Sequence, residues 1–244
     1  MTVALDKKRF GPWALVTGAS SGIGKEFARQ IAASGINVVL VARRERLLDE
    51  VGQGLAKDFS VRYRNVVADL SQDGFLDKLA EATNDLDIGL VVSNAGTGNP
   101  GEFLKLDRQL LQETLRLNTM AHLDIAHHFG AKAYVHSLGE ALHYEFKPLG
   151  VYVTVLAAGF TETAVLGKFG FDPKTMPLKP MNVEQCVSEA LSGLVKNRSR
   201  VIPGRLNRLM NALVPAYLAR RIEANLLGKG IASRSTPANA RAKA

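Results

Sequence analysis

Short, continuous apolar runs alternate with amphipathic segments through the first half of the chain. WALVT (13–17), INVVLVA (36–42), VRYRNVV (61–67) and IGLVVS (88–93) predict strands. The first, second and fourth are apolar nearly throughout, as strands buried on both faces require. Segments 22–34, 44–58 and 72–83 carry helical periodicity between them. Strand–helix alternation with short links predicts an α/β protein whose parallel sheet is covered by helices on both faces. Right-handed crossovers make that a doubly wound fold of Rossmann type. A Gly/Pro-rich loop (97–101) follows, then a long helical pattern from about Asp107 to Lys147. VYVTVLAAG (151–159) predicts another strand ending in a glycine turn. Residues 182–196 predict a helix, VIP (201–203) a short last strand, and 205–227 an amphipathic segment interrupted by Pro215.

The 244 residues are 46% apolar and 22% charged, which is ordinary for one globular domain and excludes collagen-like or coiled-coil readings of the whole chain. We assign residues 1–228 to that domain and 229–244, rich in Ala, Ser and Arg, to a basic tail without a core of its own. No run approaches the ~20 apolar residues that span a bilayer. The opening MTVALDKKRF is charged where a secretory signal needs an apolar stretch. The single cysteine, Cys186, excludes an internal disulfide and a thiolate metal cage, so a cytoplasmic location is expected and no metal is. The net charge of +8 is uneven. Residues 201–244 hold eight Lys and Arg against Glu223 alone, which is +7 of the total. That segment is a solvated basic face or a contact for an anionic partner such as a membrane surface. Nucleic acid is not expected, because only Tyr217 interleaves with the basic residues.

The first strand runs directly into Thr17-Gly18-Ala19-Ser20-Ser21-Gly22-Ile23-Gly24. Gly18 permits a tight turn, Gly22 lets backbone approach a pyrophosphate, and Gly24 lets the helix lie close to the sheet. The helix N-terminus then offers free N–H groups to an anion. A Walker A loop does not fit, because Ile23 stands where its second glycine is required. The second strand ends in Ala42-Arg43-Arg44, where an NAD site places a carboxylate for the ribose 2′-hydroxyl. Two arginines suit a 2′-phosphate, which favours NADP over NAD as cofactor.

Thr17–Gly24 together with Ser93-Asn94-Ala95-Gly96 resembles the short-chain dehydrogenase/reductase family, matching its TGxxxGxG and, with Ser93 for the first Asn, its NNAG. Asp69-Leu70 after the third strand, Asn118 in LNTMAH, and Ala158-Gly159-Phe160-Thr161-Glu162-Thr163 are similar to further family motifs; Ala158 replaces a proline in the last. The resemblance covers about residues 12–200. It implies hydride transfer between a nicotinamide cofactor and a small carbonyl or alcohol substrate, of which an acyl type is one candidate, and a homo-oligomer. It implies dinucleotide contacts from Gly18, Ser20, Ser21, Gly22, Ile23, Gly24, Arg43, Arg44, Asp69, Leu70, Asn94, Ala95, Gly96, Gly159, Thr161 and Thr163. Lys132 in AKAYVHSLGEAL matches the family's catalytic lysine, which also holds the ribose, and Asn118 would support a water or that lysine.

Two parts of that pattern are missing. The family's tyrosine lies four residues before its lysine, and position 128 is His128. No strand lies between Asn118 and Lys132 to carry the family's serine; a strand with its loops needs roughly thirty more residues. The sheet is therefore expected to lack a central strand near residue 130, unless 151–156 moves beside 88–93. Two readings stay open: an active oxidoreductase in its complete form, and a catalytically inactive NADP-binding protein. The histidines 122, 127, 136 and 143 read as helix-face residues.

Overall fold

The computed structural model describes residues 3–99, 103–129, 143–144, 147–159, 161–164, 166 and 179–213. A short helix α1 (Lys7–Phe10), not foreseen in the sequence, is capped by Asp6, whose side chain accepts from the Lys8 N–H. It leads into β1 (Trp13–Thr17), α2 (Gly22–Ala32), β2 (Asn37–Ala42), α3 (Glu45–Phe59), β3 (Tyr63–Val67), α4 (Phe75–Thr83) and β4 (Ile88–Val92). These strands form a parallel sheet in the order β3-β2-β1-β4. The chain thus winds outward from β1 in both directions, and the carboxyl ends of β1 and β4 meet at the point where the strand order reverses, which is where such sheets bind ligands.

The apolar runs decide this arrangement. All five residues of β1 and the first five of β2 are buried, so both faces of the sheet centre are covered. One core, with Ala14, Val16, Phe27, Ile31, Val38 and Leu40, lies between the sheet and α2 and α3. The other, with Leu15, Val39, Val41, Leu79, Leu117 and Ile125, lies on the opposite face. Strand residues of odd and even number divide between the two cores, as the pleat requires.

Beyond β4 comes α5 (Arg108–Leu115), capped by the Asp107 side chain on the N–H groups of Gln109 and Leu110. A single π-helical stretch, Arg116–Met120, joins it to α6 (Ala121–His128). The long helical pattern is therefore one axis with a wider turn in it, as far as Phe129; Lys132 lies outside the described residues. The expected strand at 151–159 shortens to β5 (Val155–Leu156), which pairs in parallel with β6 (Arg200–Val201). It does not move beside β4. Among the described residues, β5 and β6 form a sheet of their own, and β4 has β1 as its only strand partner. Between β5 and β6 runs α7 (Val183–Val195), capped by Asn182, and α8 (Arg205–Leu213) follows β6. Glu189 of α7 ties the start of α8 through Arg208 at 2.7 Å and the Gly204 N–H at 3.0 Å. No helix among the described residues is long and apolar enough to cross a membrane.

Candidate functional site

The turn between β1 and α2 is built by close approaches that only glycine permits. Gly18 has φ +68°, and a Cβ on Gly24 would lie 2.4 Å from the Gly18 carbonyl oxygen and 2.5 Å from Asn94 Nδ2. The first turn of α2 therefore sits directly on the ends of β1 and β4. Ser21 occupies the N-cap position in extended conformation, yet its side chain makes no capping bond. The orphan N–H groups of that turn remain available to an anion.

Thr17, fully buried, holds the neighbouring strand ends together. Its Oγ1 accepts from the Asn94 N–H at 2.9 Å and the Ala95 N–H at 3.0 Å, and donates to the Val92 carbonyl at 3.4 Å. Asn94 Nδ2 donates to the Thr17 carbonyl at 3.0 Å. The Asn94-Ala95-Gly96 backbone is thus pinned beside the glycine turn. The sequence places Thr17 at the head of the turn motif without marking a task for its hydroxyl; the tertiary pairing of β1 with β4 supplies it.

Of the two arginines, Arg44 reaches the glycine turn and Arg43 turns to Asp69 after β3. Arg44 Nη2 donates to Ser20 Oγ at 2.9 Å and Ser21 Oγ at 3.0 Å. Arg43, well exposed, approaches Asp69 Oδ2 at 3.5 Å. Burial pushes the Asp69 pKa up, but hydrogen bonds from the Ser71 hydroxyl and N–H and the charge of Arg43 outweigh it, leaving the carboxyl below its ordinary value. Leu70 next to it is a core residue at 5% exposure, packed with the second core cluster.

Asn118 sits within the π-helical stretch, a feature that often marks functional sites. Its Oδ1 accepts from the Thr97 N–H at 2.9 Å and its Nδ2 donates to the Thr97 carbonyl at 2.8 Å. Both ends of the amide clasp the loop after β4, where the sequence reading had given them to a water or to Lys132. Thr163 comes to the turn: a Cβ on Gly22 would lie 3.5 Å from its methyl carbon. Thr161, 5% exposed, donates to the Gly159 carbonyl at 3.1 Å, and Gly159 abuts Asn207 of α8. Cys186 is buried, and burial pushes its thiol up, as suits a packed residue.

Between β4 and β5 lies a cavity of about 920 Å³, walled by Phe27, Leu90, Val153, Val155, Leu191 and others. It occupies the position where a strand between β4 and β5 would complete one sheet. Ser93 and His122 face it with Ser93 Oγ 2.6 Å from His122 Nδ1. His122, read as a helix-face residue in the sequence, is in this way part of the cavity. No cluster of metal-ligating side chains occurs among the described residues.

The parallel sheet and its glycine turn define a doubly wound α/β protein of Rossmann type, and the comparisons agree. The family model described as short chain dehydrogenase matches residues 12–130. The chain is 31% identical over 233 positions to a very-long-chain 3-oxoacyl-CoA reductase of Neurospora crassa, covering 79% of this chain and 68% of that one. It is 28% identical over 199 positions to human "inactive hydroxysteroid dehydrogenase-like protein 1", covering 67% and 60%. Among solved structures, a short-chain dehydrogenase from Sphingobium yanoikuyae in complex with NADPH superposes with a TM-score of 0.70 at 26% identity, over 96% of this chain and 99% of that one. The chain belongs to the short-chain dehydrogenase/reductase family. The Neurospora alignment uses 79% of 244 residues, about 193, to fill 233 positions, so about 40 positions have no residue here. The family model ends at Gly130, where the sequence pattern breaks.

Proposed function

We propose that the protein binds NADP(H) at the β1–α2 turn and belongs, by activity, to the reductases that pass a hydride between that cofactor and a small carbonyl or alcohol. The observation that carries the reading is Arg44 bonded to both Ser20 and Ser21 beside an uncapped helix start. The residues fit the group. Gly18, Gly22 and Gly24 keep the turn low, and the N–H groups of α2 and the Ser20 and Ser21 hydroxyls would hold its phosphates. Arg43 and Arg44 would grip the 2′-phosphate as charge-assisted donors. Asp69 and Leu70 would border the base, Asn94, Ala95 and Gly96 the ribose, and Ile23, Gly159, Thr161, Thr163 and Lys132 the nicotinamide end. When bound, the nicotinamide supplies or accepts the hydride.

A second reading, binding without turnover, is favoured by the cavity between β4 and β5 and the unmatched aligned positions. The serine and tyrosine that would hold and protonate a substrate oxygen have no counterpart in the sequence. Fluorescence titration with NADPH and NADH, followed by NADPH consumption with ketones, aldehydes and acyl thioesters, separates the two. Binding with turnover supports the first reading and binding without it the second; no NADPH binding at millimolar concentration removes both. Arg44→Ala is expected to weaken NADPH binding roughly 10- to 100-fold, as losing a charged hydrogen bond does, and to leave NADH binding nearly unchanged.

A further inference from the structure

The cavity between β4 and β5 contains a pair of groups that the nucleotide reading leaves unused. Ser93 follows the last residue of β4 and His122 lies on α6, and their side chains meet at 2.6 Å between Oγ and Nδ1. Burial pushes the His122 imidazole below its ordinary value, with a backbone hydrogen bond to Ala95 opposing. The ring is therefore neutral at pH 7, and with its proton on Nε2 it has a lone pair on Nδ1 to accept the serine proton.

Backbone direction adds a donor. The Val92 carbonyl and the Asn94 N–H both meet Thr17 on β1. In a trans peptide the C=O and N–H point in opposite directions, so with the Val92 carbonyl turned to Thr17 the Ser93 N–H of the same peptide faces away from β1, on the side where β4 has no strand partner among the described residues. A hydroxyl, a base within hydrogen-bond reach and an N–H beside the hydroxyl face one apolar space.

We propose that Ser93 is a nucleophile activated by His122, and that the cavity accepts small apolar acyl esters. A serine hydroxyl attacks poorly alone and needs an adjacent base. Ser93 Oγ forms the new bond to the acyl carbon as its proton passes to His122 Nδ1. The Ser93 N–H donates to the oxyanion while the bond from carbon to the leaving oxygen breaks, and the leaving alkoxide takes the proton from His122. Water, deprotonated by the same imidazole, then releases the acid and restores the hydroxyl. The step uses no nucleotide, although the cavity shares Ile23, Asn94, Ala95 and Gly96 with the proposed ribose and nicotinamide end, so the test is run without cofactor and its failure would leave the NADP reading intact.

The full chain is treated with p-nitrophenyl butyrate and, separately, with an alkyl fluorophosphonate. Product release is followed, and the labelled protein is mapped by peptide mass spectrometry. The expected result is one adduct per chain, on Ser93, forming faster as pH rises through a midpoint below the ordinary imidazole value of 6.5. His122→Gln is expected to slow labelling roughly 100-fold, the lower range for losing a general base, with an unchanged melting temperature. An adduct on another residue, no adduct, or labelling of His122→Gln at the wild-type rate overturns the proposal. The wild-type adduct map decides the question even where a variant fails to fold.

Discussion

The two ends of the molecule treat their strands differently. From β1 to β4, four strands of five or six residues pair in one sheet, with the centre buried on both faces. Among the described residues β5 and β6, of two residues each, pair only with one another, and they stand across a cavity of about 920 Å³ from β4. The contrast shows what a sheet needs. An edge position does not by itself shorten a strand: among the described residues β3 and β4 each pair on one side and keep five residues, because β2 and β1 offer full-length ladders, whereas β5 is limited to the two residues that β6 can pair. VYVTVLAAG is mostly apolar, as INVVLVA is, yet among the described residues only its Val155 and Leu156 find a ladder partner.

That contrast can be broken at its strongest point. Thr17→Val keeps the shape of the side chain but removes the acceptor for two N–H groups and the tie between β1 and β4. We expect a loss of about 3 kcal/mol in urea unfolding, the cost of leaving such donors unsatisfied, together with loss of NADPH binding. A loss below about 1 kcal/mol would mean that the glycine turn does not depend on this tie.

Hydrogen exchange sharpens the same comparison without a substitution. Amides of Ala14–Val16 and Val38–Val41 are expected to open only with the whole domain. Those of Val155 and Leu156 are expected to exchange through a local opening at least about 2 kcal/mol easier, because few backbone bonds hold them. Equal protection at both places would show that β5 is as well supported as β1.

The smallest effect expected is electrostatic. Asp69 has its folded-state pKa below the ordinary 3.8. A depressed carboxylate contributes stability that is present above the unfolded value and is lost as pH falls through the folded one. The protein should therefore weaken slightly below about pH 4, and Asp69→Asn should remove that part of the acid sensitivity. The side chain is 32% exposed, so the difference should be under about 1 kcal/mol in melting measured across pH 3–7.

Much of the first half was legible in the sequence because local pattern and long-range burial agree there. WALVT predicted β1 to the residue, and the expected helix starts at 22 and 44 stand within one residue of α2 and α3. The glycine turn and the arginine pair could be found because each rests on residues adjacent in sequence. The strand over 151–159 and the pairing of Ser93 with His122 could not, since each depends on what lies beside it across the sheet. Asn118 was singled out in the sequence, but its clasp on Thr97 follows from the π-helical turn that aims it.

By itself, the order of apolar runs and glycines determined an α/β sheet with a glycine-rich turn between its first strand and helix, because strand burial and turn geometry act over a few residues. Tertiary structure alone decided which strands joined the sheet, where the cavity opened and which side chains met inside it. Those outcomes depend on partners for backbone hydrogen bonds and on groups brought together from distant positions, and no local pattern records whether such a partner is there.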